Sequence, residues 1–255
     1  MSDPAPAATQ SRAHAPVPPI LEFEGVRVEA SLPHESMLAG VSFALRPGEL
    51  LLVLLDRDHL HVPLADAAAG LVIPNHGTVR FEGRPWRNRP AGEAARARGR
   101  IGRLFDEVAW VSNLTIEENL TLQQRHHTRR SVEELREEAA ALAARFRLPG
   151  LPLGRVEQHR EQDLLKAACV RAFLGEPVLI LLERPARQIY AEVMPALVNT
   201  VQEARDRGAA VLWTTSNRRV WEDPGVRPTH RAQIAGVRWH LCESDAATFP
   251  LSTCQ

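Results

Sequence analysis

What this chain lacks narrows its chemistry before any motif is read. Its 255 residues hold one lysine, Lys166, and every other basic residue is arginine or histidine. A mechanism that needs a lysine anywhere else is thereby excluded. Net charge is also missing, because 31 Lys and Arg residues balance 31 Asp and Glu residues. No overall field draws the chain toward nucleic acid or an anionic membrane. Long apolar runs are absent too: stretches such as Leu50–Leu55 fall far short of the roughly 20 residues a spanning helix needs. Residues 1–19, rich in alanine, proline and serine, lack the continuous apolar segment of a secretory signal. They read as a disordered leader on a cytoplasmic protein. The three cysteines, Cys169, Cys242 and Cys254, have neither close pairing nor metal-ligand spacing. An odd number in a cytoplasmic chain is expected to stay as free thiols.

What is present is a core. With 44% hydrophobic residues, the chain is long enough to bury one α/β domain with a lobe inserted. Leu21–Val28 (LEFEGVRV) alternates as a half-buried strand does, and a second strand is expected over 41–45, before the Pro47-Gly48 turn. Leu50–Leu55 (LLLVLL), residues 178–182 (VLILL) and Ala210–Thr215 (AVLWTT) are continuous apolar runs, the signature of strands covered on both faces. A further strand is expected over 78–82, a short helix over 63–71 and a longer one over 191–207, ending at Gly208. From about 84 to 172 the pattern reads as helical and charged. There Ser131 and Glu134 have capping-box spacing, and Leu135, Ala139, Leu142 and Phe146 fall on one helical face. Strands alternating with helices imply a mainly parallel sheet with helices on both faces.

Several separated blocks, in order and at matching spacing from about residue 20 to 242, resemble the ATP-binding subunits of ABC transporters. The stretch from Gly48 to Leu71, GELLLVLLDRDHLHVPLADAAAGL, is similar to that family's run from a Gly-Glu turn through strand and P-loop to an Ala-Gly-Leu helix end. Leu114-Thr-Ile-Glu-Glu-Asn119 resembles the segment after the Q-loop. Arg171-Ala-Phe-Leu-Gly-Glu-Pro177 with VLILLERP resembles the block that carries Walker B, and Ala210–Thr215 resembles the strand before the switch histidine. The resemblance implies a P-loop NTPase-like ABC ATPase fold over 20–242, a helical subdomain over about 84–172, and a tail over 243–255. A fainter similarity of residues 113–148 points to cassettes of lipid or organic-solvent transporters.

The same alignment implies that the nucleotide motifs are degenerate. A P-loop needs two glycines, a lysine and a hydroxyl, so that backbone N–H groups, an ammonium and an Mg²⁺ ligand meet the phosphates. Here those positions run Leu55, Asp56, Arg57, Asp58, His59, Leu60, His61, Val62 and Pro63. Leucines at 55 and 60 resist positive φ, and Pro63 removes a donor from the helix start. A carboxylate about 5 Å from a phosphate costs roughly 3 kcal/mol at an effective dielectric near 20. Asp56 and Asp58 together would therefore offset much of the about 8 kcal/mol of a micromolar affinity. The aromatic position for adenine holds Ala30, and the Walker B aspartate position holds Glu183. The catalytic glutamate position holds Arg184, which cannot be a general base at neutral pH. Asp106 takes the Q-loop glutamine position, Ser216 the switch histidine, His159-Arg-Glu-Gln-Asp163 the signature, and Arg187-Gln-Ile-Tyr190 the loop after Walker B.

The remaining candidates have simpler readings. His59 and His61 with Asp56 or Asp58 make half a metal site without a second half, so they read as loop histidines and no metal is expected. His126 and His127, with Arg125, Arg129 and Arg130, read as a solvated basic cluster. Cys169, His159 and Asp163 are not placed as a triad, and a helical cysteine reads as core. Trp110, near the Q-loop position, is a candidate anchor for a partner alongside Asp106.

The sequence thus leads to a noncatalytic cassette subunit, with no cofactor, that binds an ABC-type membrane permease from the inner face of the cell membrane. It would meet the permease through residues 104–122 and could pair with itself or with a catalytic cassette; no nucleic acid is expected. Two alternatives stand beside it. One is an atypical ATPase that binds ATP and Mg²⁺ weakly through Glu183 with Arg57 or His61. The other is a stand-alone regulatory or scaffold protein.

Overall fold

A computed structural model describes residues 17–30, 37–56, 61–106, 109–185 and 190–242. Within these, ten strands form one sheet in the order β5-β4-β1-β2-β10-β9-β3-β8-β7-β6. The parallel part comprises β3 (Leu50–Leu55), β6 (Ile101–Leu104), β7 (Leu179–Glu183), β8 (Ala210–Thr215) and β9 (His230–Ala235). The antiparallel part holds β1 (Leu21–Val28), β2 (Leu38–Leu45), β4 (His76–Phe81) and the short β5 (Arg84–Pro85). Between the two, β10 (Arg238–Cys242) pairs antiparallel with β9 and touches β2 through Arg238 and Ala39.

The unbroken leucine run of β3 has a simple cause. Successive side chains point to opposite faces, and here both faces are covered. Leu50, Leu52 and Leu54 enter one core with Phe146, Phe173, Leu197 and Trp213. Leu51, Val53 and Leu55 enter a second core with Phe23, Leu64, Phe81 and Trp86. The first core is closed by α3 (Ile116–His127), α4 (Val132–Arg145), α5 (Glu161–Phe173) and α6 (Tyr190–Asp206). The second is closed by α1 (Leu64–Ala68) and α2 (Ala91–Arg98). A last short helix, α7 (Arg218–Glu222), follows β8 and is capped by the Asn217 side chain.

The expected capping box is present: the Ser131 hydroxyl accepts from Glu134 N–H, and Glu134 accepts from Ser131 N–H. Thr115 and Glu118 make a second one at α3 that the sequence reading did not single out. Two strands, β5 and β6, lie inside the span read as helical. Two close approaches fix how these layers sit. At Gly70, with φ +65°, a Cβ would come within 2.3 Å of the Trp86 ring. At Gly102, a Cβ would lie 2.0 Å from the Ala172 carbonyl oxygen, so α5 crosses β6 without side-chain separation.

One cysteine expectation needs correction. Cys169 is free and buried, but Cys242 is disulfide-bonded, because spacing along the chain says nothing about proximity in space. No described helix is long and apolar enough to cross a membrane.

Candidate functional site

The positions that the resemblance assigns to phosphate chemistry converge where β3, β6 and β7 end and α1 begins. Leu55 closes β3 and belongs to the second core. Arg57, Asp58, His59 and Leu60 lie outside the described residues, and Asp56 is exposed at the end of β3. His61 is exposed, whereas Val62 and Pro63 are buried. Pro63, expected in the first helical turn, stands at the N-cap of α1 without a side-chain cap bond; its carbonyl accepts from Ala67. Helix α1 is 5 residues long.

Two guanidinium groups dominate the corner. Arg103, on β6, donates from Nε to Glu183 at 2.6 Å and from Nη1 to Asp66 at 2.5 Å. It thereby ties the end of β7 to α1. Its guanidinium also lies 4.4 Å from the Phe105 ring centroid, a cation–π contact. Burial is the largest single influence on Arg103 and pulls its pKa down. The hydrogen bonds and charges of Glu183 and Asp66 together outweigh it and hold the group above its ordinary value. Arg184, directly after β7, has only 3% of its side chain exposed and is ion-paired to Asp106, itself 13% exposed. Its backbone N–H donates to the Thr214 carbonyl at 2.9 Å, and its φ of 44° lies in the left-handed region. Such a conformation in a non-glycine residue costs on the order of 1–3 kcal/mol, so the surroundings must enforce it. Between these groups remains a cavity of about 100 Å³, lined by His61, Asp66, Arg103, Asp106, Glu183 and Arg184 among others.

The structure therefore brings Leu55, His61, Val62, Asp106, Glu183 and Arg184 together, with Arg103 and Asp66, which sequence reading did not select. The available signal for them was charge arithmetic. Asp106 and Glu183 near buried strand ends need cations, and the lone lysine is elsewhere. Lys166 sits on α5 and pairs with Glu192 at 3.4 Å.

Trp110 packs against the first core, with Arg171 stacked 4.6 Å above its ring. Arg171 also lies 5.6 Å from Phe105 and donates to the Ala109 carbonyl at 2.5 Å. Burial lowers its pKa to about 10. Asp106 is turned inward to Arg184, and among the described residues of this neighbourhood the large exposed apolar side chains are Val111 (44%) and Leu122 (46%).

The other candidates separate. Burial pushes the Cys169 thiol up to about 12, far from a nucleophile's range, and the His159 ring is engaged by the Leu153 carbonyl at 2.6 Å. Ser216 lies between β8 and the Asn217 cap, Ala30 is exposed beyond β1, and α5 begins inside the signature position with Arg160 as N-cap. His126 and His127 stack edge to face at 4.7 Å. No group of three potential metal ligands occurs among the described residues.

No protein-family model matches the chain. Its sequence is 27% identical over 187 residues to the phosphonates import ATP-binding protein PhnC of Alcaligenes faecalis, covering 70% of this chain and 67% of that one. It is 27% identical over 221 residues to the ribose import ATP-binding protein RbsA 1 of Rubrobacter xylanophilus, covering 83% of this chain but 42% of that one. The chain thus spans about two thirds of the length of the first of these relatives and less than half of the second. A dimeric bacterial ABC transporter cassette, MJ0796, superposes with a TM-score of 0.76 at 17% identity, covering 88% of this chain and all of that one. The ATP-binding subunit of another ABC transporter gives 0.72 at 21% identity, over 86% and 87% of the two chains. The fold is that of an ABC ATPase cassette, and the chain is a homologue of ABC transporter ATP-binding subunits. The two relatives named here are import subunits for phosphonates and for ribose.

Proposed function

We infer that this chain is a cassette subunit of an ABC-type transporter that keeps its fold without nucleotide and acts as a noncatalytic structural or regulatory partner of a membrane permease. The observation that carries this reading is the pairing of Arg103 with both Glu183 and Asp66. In an ATPase of this fold, the Walker B carboxylate position has to be free to hold Mg²⁺ and to face a triphosphate. Here that carboxylate is paired with a guanidinium fixed in the protein and shared with Asp66. The next residue is a second buried guanidinium bound to the Q-loop position, and a glutamate at 183 paired this way already has a fixed cation on its carboxylate. The residues present therefore do not fit an Mg²⁺–triphosphate, and no hydrolytic step is derived for them.

The partner surface on this reading is the segment 104–122. Its apolar part is Val111 and Leu122, with Trp110 and its Arg171 stack as support beneath and Asp106 as an internal tie. The subunit works at the cytoplasmic face of the membrane, alone, as a homodimer or beside a catalytic cassette. The relatives' names favour a second reading, an ATP-binding subunit that powers import. Calorimetric titration of the full chain with ATP and Mg²⁺ decides between them. No saturable heat up to millimolar nucleotide is expected, and saturable micromolar binding would sink the noncatalytic reading.

A further inference from the structure

The cleft between the β4–β5 hairpin and α2 has a volume of about 320 Å³, and its walls carry Arg84, Arg89, Arg96 and Arg100 with Glu82 and Glu93. Two of these arginines are already matched. Arg84 Nη1 lies 2.6 Å from the Glu93 carboxylate, and Arg100 Nη1 lies 2.6 Å from that of Glu82. Arg89 and Arg96 form no ion pair among the described residues. Arg89 is held instead by carbonyls: its Nη2 donates to Phe81 at 2.9 Å and to Arg84 at 2.8 Å. The Trp86 ring centroid lies 4.5 Å from its guanidinium carbon. Its Nε has neither solvent access nor an acceptor. Burial, and after it the charge of Arg84, lowers the Arg89 pKa, as expected of a desolvated cation set among like charges. Four guanidinium groups against two carboxylates leave a surplus of two positive charges around one cleft.

We propose that this cleft binds the phosphate group of a small phosphomonoester, whose two negative charges match the surplus. Guanidinium forks offer paired N–H donors at the spacing of phosphate oxygens, and arginine holds such groups with more directional fit than lysine. The volume lies at the lower end of the range for small-molecule pockets, roughly 300–1,000 Å³. It suits a phosphate on a short organic stub and is too small for a nucleotide. Arg100 directly precedes β6 and Arg103 lies near its far end, so ligand here neither needs nor blocks nucleotide at the Glu183 corner. A soluble metabolite and a lipid headgroup share this chemistry.

Two measurements on the full chain test it: calorimetry with glycerol phosphate and with inorganic phosphate at constant ionic strength, and cosedimentation with phosphatidylcholine vesicles with and without phosphatidic acid. The wild-type chain is expected to bind saturably. Arg96→Glu, at an exposed position without an ion-pair partner among the described residues, is expected to weaken binding at least tenfold with no fall in thermal midpoint, and Arg96→Gln to fall between. Saturable binding of glycerol phosphate assigns a soluble ligand. Sedimentation with phosphatidic acid alone, lost in Arg96→Glu, assigns a headgroup. No saturable binding of either by the wild type, or undiminished binding by both variants, overturns the proposal.

Discussion

Arginine is used in opposite ways at the two ends of β6. At its C-terminal end, Arg103 and Arg184 meet Asp66, Asp106 and Glu183, and both cations face carboxylates around a cavity of about 100 Å³. Before its N-terminal end, four arginines meet two glutamates around an open cleft of about 320 Å³. The first corner is largely buried and each of its cations faces a carboxylate, so its guanidinium groups act as internal ties between α1, β6 and β7. The second is solvated and carries excess charge, which water can tolerate and an anion can use. A buried guanidinium left without acceptors costs several kcal/mol, so it is paired with a carboxylate as Arg184 is, or set against a carbonyl and aromatic rings as Arg171 is. An exposed one need not be. Burial, more than residue type, decides whether an arginine holds the fold or remains available for binding.

The comparison is broken most severely by removing a cation from the matched corner. Arg184→Met leaves the Asp106 carboxylate buried without its partner and is expected to cost about 3–5 kcal/mol of stability. Denaturant unfolding of the variant measures it. Arg184→Met combined with Asp106→Leu, which removes both charges, is expected to recover most of that loss. A single-variant loss below about 1 kcal/mol would mean that the pair is not what holds this corner.

A smaller effect sharpens what Arg103 replaces. Arg103→Met removes two charge-assisted hydrogen bonds from partly buried carboxylates and is expected to cost about 2–3 kcal/mol. It also takes the guanidinium away from Glu183 and Asp66, two carboxylates of the kind hard divalent cations take. Millimolar Mn²⁺ is therefore expected to raise the thermal midpoint of Arg103→Met and to leave the wild type unmoved, by the linkage between binding and stability. Equal stabilisation of both proteins would show that the guanidinium does not stand in a cation's place.

The sequence was informative where burial follows a simple pattern, alternation for a strand with one covered face and a near-continuous apolar run for a strand covered on both. Leu21–Val28, Leu50–Leu55 and Ala210–Thr215 fall where their patterns put them, and the Ser131 box starts α4 as its spacing requires. The pattern fails for β6 and β9. β6 is four residues long and contains Gly102 and Arg103, while β9 carries His230, Arg231 and Gln233. Their places come from pairing with neighbours, β6 beside β7 and β9 beside β3, and no local window contains that information. The site divides the same way. Glu183, Arg184 and Asp106 could be found by position within resembling blocks. Arg103 and Asp66 could not, because their roles arise only when α1, β6 and β7, far apart along the chain, are brought within 3 Å. Asp66 in particular sits in an alanine-rich helical run, where it reads as an ordinary first-turn acid.

The smallest expected effect tests the other side of the comparison. Arg96 is exposed and has no carboxylate partner among the described residues, while Arg84, Arg89 and Arg100 share its cleft. Arg96→Ala therefore removes more repulsion, from three arginines, than attraction, from Glu82 and Glu93, and is expected to change stability by no more than about 0.5 kcal/mol, toward greater stability. The sign should depend on salt. Charges in a solvated cleft are screened beyond a Debye length of about 10 Å at 0.1 M and about 3 Å at 1 M, so the gain should be present at low ionic strength and vanish at high. Unfolding of wild type and variant at both salt levels separates this from a packing effect, which salt would leave in place. A loss above about 1 kcal/mol at either level would mean that Arg96 is held by a partner, and that the two ends of β6 obey the same rule after all.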